Sequence, residues 1–466
     1  MQQTTVTRIQ EIFQKQQAYQ WEVRKTNSAT RKETLGKLAK ALKDNMQEIV
    51  VATIQDVQKP QFEVVNEVTS VIGAIEYAIA NVEEWMKPDI VESQPGTKAQ
   101  IMYEPKGVVC ILGTWNAPLT VLVHPLAEAI AAGNCAILKP SEHTPTFGET
   151  LQKVIASVFD EQEIAVVIGD ADVANELLDL PFNHICFTGG TKIGKLVMAA
   201  AAKHLASVTL ELGGKSPVIV DQGVDLERTA MRLAWGKMIN SGQICISPDY
   251  VCIHEEDVEA FAQHFEQHVH RAYYDANGTI QNEDRTQIVN AAHYNRLKNL
   301  LNDAVEKGAQ VLTGGHFDDD TRRIEPTLLT NVTEDMIILH EEIFGPLLLV
   351  LPYTDIEEPL AYIRQNPKPL ALYIFSDQPA LVEHILQSTS SGGVTINDIV
   401  AHNTHPNLPF GGVNSSGIGS YHGIHGFKEF SHSRAVFTAV PAEYEAFIMP
   451  PYAGKLEMMM QQQNEQ

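Results

Sequence analysis

Cysteine, glutamate and asparagine are the side chains whose setting could carry chemistry here. The segment Gly242-Gln243-Ile244-Cys245-Ile246-Ser247-Pro248 puts a thiol between two apolar side chains, in a stretch bracketed by glycine and proline. A thiolate is a strong nucleophile. An unperturbed cysteine, with a pKa of about 8.5, is only a few per cent thiolate at neutral pH, so that role needs a base or favourable placement. The same setting suits a buried structural thiol, because free cysteine is among the most buried residue types. Glu211 lies in the apolar run Val208–Leu212, ahead of Gly213-Gly214. Burial there would raise its carboxyl toward neutrality and fit it for general-base work. The plainer alternative is a solvated or salt-bridged carboxylate. Asn116, in Gly113-Thr114-Trp115-Asn116-Ala117-Pro118, offers amide N–H groups without charge, as an oxyanion stabiliser requires. Asparagine is also a good cap for a helix starting near Pro118.

Phe187-Thr188-Gly189-Gly190-Thr191-Lys192-Ile193-Gly194 follows an apolar strand and opens a helix. That context lets a phosphate approach backbone N–H groups at the helix start. It is not the G-x-G-x-x-G fingerprint, and an ordinary strand–helix turn also favours glycine. The other cysteines, Cys110, Cys135, Cys186 and Cys252, are widely spaced with no C-x-x-C pair. Neither a disulfide framework nor a zinc site fits, and a reducing compartment does; each reads as a small core residue. His402, His405, His422 and His425 fall in Gly/Asn-rich chain without metal spacing. They read as loop residues, His402 being a candidate for the substrate entrance, and no metal is expected.

Together these segments resemble the aldehyde dehydrogenases. Asn240–Val251 (NSGQICISPDYV) resembles the family's catalytic-cysteine region, Leu210–Pro217 (LELGGKSP) its glutamate motif and GTWNAP its asparagine motif. Glu341–Pro346 (EEIFGP) resembles the cofactor clamp and Leu408–Gly412 (LPFGG) a late motif, all in family order over almost the whole chain. The SYHG and MPPY segments are most similar to the class 3 branch of fatty and aromatic aldehyde dehydrogenases. The resemblance implies a nicotinamide-dependent oxidation. Cys245 attacks the aldehyde, Asn116 and the Cys245 N–H hold the oxyanion, and a thioester remains after hydride loss. Glu211 activates the water that releases the acid. It also implies that Gly189, Gly190, Thr191, Lys192, Ile193, Gly194 and Leu212 hold the dinucleotide, Lys139 and Glu142 the adenosine ribose, and Glu342 and Phe344 the nicotinamide end. A carboxylate near the ribose 2′-hydroxyl favours NAD, and Lys139 offsets its repulsion of a 2′-phosphate. NAD is therefore expected as the preferred cofactor, with some NADP use.

Two positions depart from the pattern. Ala117 stands where relatives carry a bulky aromatic, and Asn414 where glycine is common. With Ala117, Trp235, Met238, Ile244 and Ile246 as walls, the expected substrate is a medium or long apolar aldehyde, bulky or conjugated. Two rival readings remain: an enzyme that passes the thioester to coenzyme A, which generally lacks the water-activating carboxylate, and a non-enzymatic binding protein on the same fold.

The elements that must position these residues are legible too. At 466 residues the chain has room for about three domains. The first hundred residues read as helices. Thr30 and Glu33 form a capping pair after Ser28, and Leu35, Leu38, Leu42, Met46 and Ile49 mark one buried face. Beyond Tyr103, apolar runs at 108–112, 136–138, 165–168 and 185–187 alternate with helical stretches. That predicts a parallel sheet covered on both faces, with ligands beyond its carboxyl ends. Further strands are expected at 216–221, 347–351, 370–374 and 394–396. The expected class is α/β: a Rossmann-like parallel-sheet cofactor domain (1–98 and 105–212), an α/β catalytic domain (213–420) and a small bridging β element (99–104 and 421–448). The strands Ala99–Glu104 and Ser433–Ala439 are expected to pair across a homodimer, and 449–466 to be a surface tail. A net charge of −24 argues against a nucleic-acid partner. Without an apolar run of about 18 residues or a signal-peptide core, no membrane span and a cytoplasmic location are expected.

Overall fold

The computed structural model describes residues 3–93, 97–439 and 449–464. Four helices, Val6–Arg24, Ser28–Asp44, Met46–Val57 and Gln61–Trp85, fill the first part. The expected apolar face is buried, with Leu35, Leu38, Leu42 and Ile49 fully enclosed, but it spans a break at Asn45. The capping residue is Asn27, whose side chain accepts from the Thr30 N–H; Thr30 lies inside the helix. Among Ser, Thr and Asn in sequence, asparagine one step ahead of the first helical residue is the better-placed acceptor.

Five parallel strands form the body of a six-stranded sheet: Val108–Leu112, Cys135–Lys139, Ile164–Val166, His184–Thr188 and Ser207–Glu211. Numbered in chain order they lie 3-2-1-4-5 across the sheet, the dinucleotide-fold order whose direction reverses between the first and fourth strands. Gly417–Ile418 closes the edge antiparallel to Ser207–Glu211. That late pair, assigned by sequence to the catalytic segment, thus belongs to the cofactor sheet. Two residues, one of them glycine, are too short a strand to leave a periodicity to read.

A seven-stranded sheet follows. Its parallel members are Ser216–Val220, Pro248–His254, Thr327–Thr330, Leu347–Tyr353, Ala371–Phe375 and Gly393–Ile396, and Gln310–Thr313 runs antiparallel at one edge. A small antiparallel sheet joins Asp89–Val91, Lys98–Pro105 and Ser431–Thr438. The two bridging strands therefore pair with each other within one chain, in register from Lys98–Thr438 to Pro105–Ser431, and Asp89–Val91 adds a third that the sequence did not announce. Residues 440–448 of the expected bridging element lie outside the described residues. The tail segment Lys455–Asn464 is helical. Among the described residues no helix is long and apolar enough to cross a membrane.

Asn134 ties three of these parts together. It is buried just after the helix Thr120–Ala132, accepts the Gly107 N–H at 2.8 Å, and donates to Ala129 O at 3.1 Å and Phe430 O at 3.0 Å. Replacing it by alanine strands the Gly107 N–H, and a buried unsatisfied group costs about 1–3 kcal/mol. Urea unfolding of Asn134→Ala should show a midpoint lowered accordingly.

Candidate active site

The site forms where the two large sheets face each other. The carboxyl ends of four neighbouring cofactor-sheet strands deliver Glu211, Gly189-Gly190, the loop 113–119 and Lys139. The amino ends of three neighbouring strands of the second sheet receive the segments carrying Gly213-Gly214, Cys245 and Glu342-Phe344.

The turn that carries Cys245 is strained and tightly held. Asn240, Ser241 and Gly242 have φ of 50°, 51° and 74° in succession. Left-handed backbone at two consecutive non-glycine residues persists only where surroundings over-determine it. Here Ser241 Oγ donates to Thr286 O at 2.7 Å, and Gln243 Nε2 to Gln287 O at 3.2 Å. Gln243 Oε1 accepts the Val289 N–H at 3.1 Å. Downstream, the buried Tyr373 hydroxyl donates to Ile246 O at 2.6 Å and the enclosed Lys237 to Pro248 O at 2.7 Å. Cys245 itself is partly open, unlike the other four cysteines, which are buried. Burial, then the Glu211 and Glu342 carboxylates, push its thiol up to about 12.

Asn116 is not a helix cap. The helix Thr120–Ala132 has no capping side chain of its own from the loop; the Leu119 and Thr120 N–H groups go instead to Glu67. Asn116 lies buried against the cysteine turn, its Nδ2 donating to Gln243 O at 3.0 Å. That uses one of its two N–H groups and leaves the other for a ligand oxygen. Glu211 is buried, and neither carboxylate oxygen has a hydrogen-bond partner. Burial, with Glu429 adding like charge, pushes it well above the usual carboxylate range. Such a carboxyl gives up its proton less readily than an exposed one and is a stronger base once ionised.

The clamp carboxylate Glu342 lies on the backbone of Gly213, where a Cβ would meet its Oε2 at 2.1 Å. Burial and Asp249 raise its pKa to about 7 against the Gly214 N–H, Lys215 and Arg296. Its loop is pinned by Arg296 to Glu342 O, by Lys215 to Glu341 O at 2.9 Å, and by Asp249 accepting the Ile343 N–H. Phe344, at φ 50°, meets Trp115 edge-on at 5.6 Å.

The dinucleotide residues fit that ligand. A Cβ on Gly194 would strike Leu212 at 2.6 Å, so this glycine lets helix and strand end approach. A Cβ on Gly190 would meet nothing within 4 Å; there the protein leaves open space. The helix Thr191–Ala202 starting there has no side-chain cap, so its first N–H groups suit a pyrophosphate. Thr191, Lys192 and Ile193 are partly or fully exposed around it. Lys139 is buried and donates to Glu142 at 3.3 Å. Burial raises Glu142, but its own backbone N–H and Lys139 hold it below the usual range.

Of the expected walls, Ala117 and Ile244 are half-buried, and Trp235 is 47% exposed beside Arg232. Met238 and Ile246 are enclosed, Ile246 within the core of the second sheet. His402, expected in a loop, is buried, with Nδ1 on Thr395 Oγ1 at 2.7 Å and Nε2 without a partner. Its ring stacks on Phe410, which stacks on His422, which stacks on His124 at 4.2 Å. The Asn414 departure is explained: it has φ 55°, and asparagine tolerates that left-handed backbone better than most residues.

Residues 1–436 match the model of the aldehyde dehydrogenase family. The chain belongs to that family. AldX of Bacillus subtilis (strain 168), a provisionally named aldehyde dehydrogenase, is 47% identical over 94% of this chain and 99% of its own length. The 4,4'-diaponeurosporen-aldehyde dehydrogenase of Staphylococcus aureus is 40% identical over 92% of this chain and 93% of its own. A substrate-bound structure of Staphylococcus aureus AldH superimposes with a TM-score of 0.92 at 38% identity, covering 97% of this chain and 98% of that one. This aldehyde dehydrogenase therefore shares the family fold along nearly its whole length.

In this enzyme Gly242 cannot take a side chain: its φ is positive, and a Cβ would lie 2.2 Å from Gly345 O. Gly242→Ala must move the turn that carries Cys245 or the loop that carries Glu342. A misplacement near 1 Å costs roughly a hundredfold, so kcat should fall by that order while circular dichroism stays unchanged.

Proposed function

We propose that the chain oxidises an apolar aldehyde to its carboxylic acid with NAD(P), through a thioester on Cys245 that Glu211 hydrolyses. The observation that carries this reading is the convergence of a partly open thiol, a buried carboxylate without partners and an amide donor seated against the cysteine turn.

With its thiol pushed up to about 12, Cys245 reacts only if a base takes the proton. Glu211 is that base, and its raised pKa makes the carboxylate basic enough to compete. The sulfur then bonds to the aldehyde carbon, and the carbonyl oxygen becomes an alkoxide held by Asn116 Nδ2 and the Cys245 N–H. Gly190, the uncapped helix start, Lys139, Glu142 and Glu342 would hold a dinucleotide, whose nicotinamide would supply the hydride acceptor when bound. The carbon–oxygen double bond re-forms as hydride leaves, giving the thioester. Glu211, having released its first proton to solvent, takes one from water. The hydroxide displaces the Cys245 sulfur, and acid is released.

Cys245→Ser should abolish aldehyde-dependent NADH formation. Glu211→Gln should lose steady-state turnover, and Asn116→Ala about 2.7–4 kcal/mol of barrier lowering. The raised Glu211 pKa fixes the sign of the pH dependence. As pH falls through it the carboxylate protonates and kcat drops, and Glu211→Gln should flatten that acid limb. Acid must accumulate without coenzyme A; turnover that requires coenzyme A would replace hydrolysis by acyl transfer.

For the substrate, the reading rests on Ala117 beside the donor and on the long apolar aldehyde in the name of the Staphylococcus aureus relative. For the cofactor it rests on Glu142, beyond the second strand where a ribose-binding acid belongs, with NAD preferred and NADP accepted through Lys139. Profiling aldehydes of graded bulk with both cofactors checks both. Ala117→Tyr should lower kcat/KM for bulky aldehydes more than for small ones, and a wild-type enzyme strongly favouring NADP would overturn the role of Glu142. The proposed assembly is a homodimer in a reducing, cytoplasmic setting, formed along the open edge of Ser431–Thr438.

A further inference from the structure

The start of the long N-terminal helix Gln61–Trp85 reaches into both catalytic loops. Lys59 and Glu67 form an ion pair at 2.9 Å, and their side chains are 6% and 7% exposed. Lys59 Nζ also donates to Asn116 O at 3.1 Å. Glu67 Oε1 accepts the N–H groups of Leu119 at 3.0 Å and Thr120 at 3.2 Å. One turn earlier, Glu63 Oε2 accepts the Asn240 N–H at 2.9 Å, and Asn240 Nδ2 returns to Asn116 O at 3.0 Å.

We propose that Lys59, Glu63 and Glu67 are positioning residues: a clamp that fixes the Asn116 amide in register with the Cys245 turn. The inference rests on the proposed oxyanion role of Asn116. Its physical basis is the mismatch between cost and return. Desolvating two charges costs several kcal/mol each, and apolar pairs of similar size often stabilise a fold equally well. The pair here spends its hydrogen bonds on one loop. Asn116 O takes two donors, and the loop's last two N–H groups share one acceptor. The platform is stiff, because Val64, Val68, Val71 and Ile75 on the same helix are buried in the core. Glu63 and Glu67, four apart, stand on one side of it. The Asn116 loop and the start of the cysteine turn at Asn240 are thus both bonded to this helix start. Oxyanion stabilisation needs a donor placed before charge develops, and such a clamp supplies that placement.

The test is a double-mutant cycle read in single turnover with NAD and a saturating aldehyde. Lys59→Met with Glu67→Gln removes both charges of the pair together and keeps an amide oxygen for the Leu119 and Thr120 N–H groups. Glu63→Gln is the second, milder variant. The rate constant of the NADH burst should fall about ten- to a hundredfold in the neutralised pair, with its amplitude, which counts active thiols, and the KM for NAD unchanged. On an Asn116→Ala background the same pair should cause almost no further loss, since no donor remains to be placed. A purely structural role would lower the thermal midpoint and the burst amplitude while leaving the rate constant intact, and that result would overturn the clamp. Equal losses on both backgrounds would overturn it as well. Full burst rate in Asn116→Ala alone would instead remove the oxyanion donor, and the clamp with it. A neutralised pair that fails to fold hands the decision to Glu63→Gln, whose unchanged burst rate would count against the proposal.

Discussion

The crossing Leu212-Gly213-Gly214-Lys215 is the constraint from which the site follows. It joins the carboxyl end of Ser207–Glu211 to the amino end of Ser216–Val220. Five residue steps span at most roughly 17 Å, so the two sheets must meet end to end at this point. What the cofactor sheet offers at its carboxyl ends then faces what the second sheet gathers before its strands. Gly213 serves the crossing twice. It keeps the connection short, and it leaves the surface on which the Glu342 carboxylate rests. Any side chain there would expel the clamp.

Facing sheets explain proximity but not placement. Placement comes from loops whose backbone is held against its own preference. The run Asn240-Ser241-Gly242 stores strain, and it is held by elements far apart in sequence: the side chains of Ser241 and Gln243 bond the backbone of Thr286, Gln287 and Val289, and the Glu63 carboxylate takes the Asn240 N–H. Two carboxylates close to the thiol, Glu211 and Glu342, and Asp249 further along the chain, are compensated in different ways. Asp249 is neutralised by Lys215 and Lys237, Glu342 is half balanced, and Glu211 is left without partners. The one given no compensation is the one proposed to exchange protons. A carboxylate locked in an ion pair would be acidic and chemically idle.

Most strands were legible because a parallel sheet covered on both faces writes itself as continuous apolar runs. Val108–Leu112 and Ala371–Phe375 are enclosed at every position. The chemistry-bearing residues were legible through motifs, each of which is local in sequence. The clamp residues were not. Lys59, Glu63 and Glu67 act across 52 to 177 positions, and no spacing rule connects a helix start to a loop so distant. The only local signal is a charge at 67 within the apolar stripe Val64, Val68 and Val71, where a solvated residue should not be. Gly417–Ile418 was missed for the opposite reason: two residues are too few to show a period. For the histidines the Gly/Asn-rich stretch gave only a loop reading, and their burial, as at His402 and His422, comes from tertiary packing that no local pattern shows.

That burial bears on the Glu211 carboxyl. Desolvation lowers His124 and His402 to about 4 and drives His422 well below its ordinary value, the neighbouring histidines adding to it. The stack His124, His422, Phe410, His402 is therefore a row of uncharged planar rings at neutral pH. It adjoins Tyr421, close enough to Glu211 and Cys245 to feel their charge. A cationic imidazole in that row would stabilise the Glu211 carboxylate, lower its pKa and blunt it as a base. Neutral rings leave the Glu211 carboxyl without a compensating cation from that row, and it stays raised. The same exclusion of water thus keeps these rings neutral and the Glu211 carboxyl raised, two consequences of one packing arrangement.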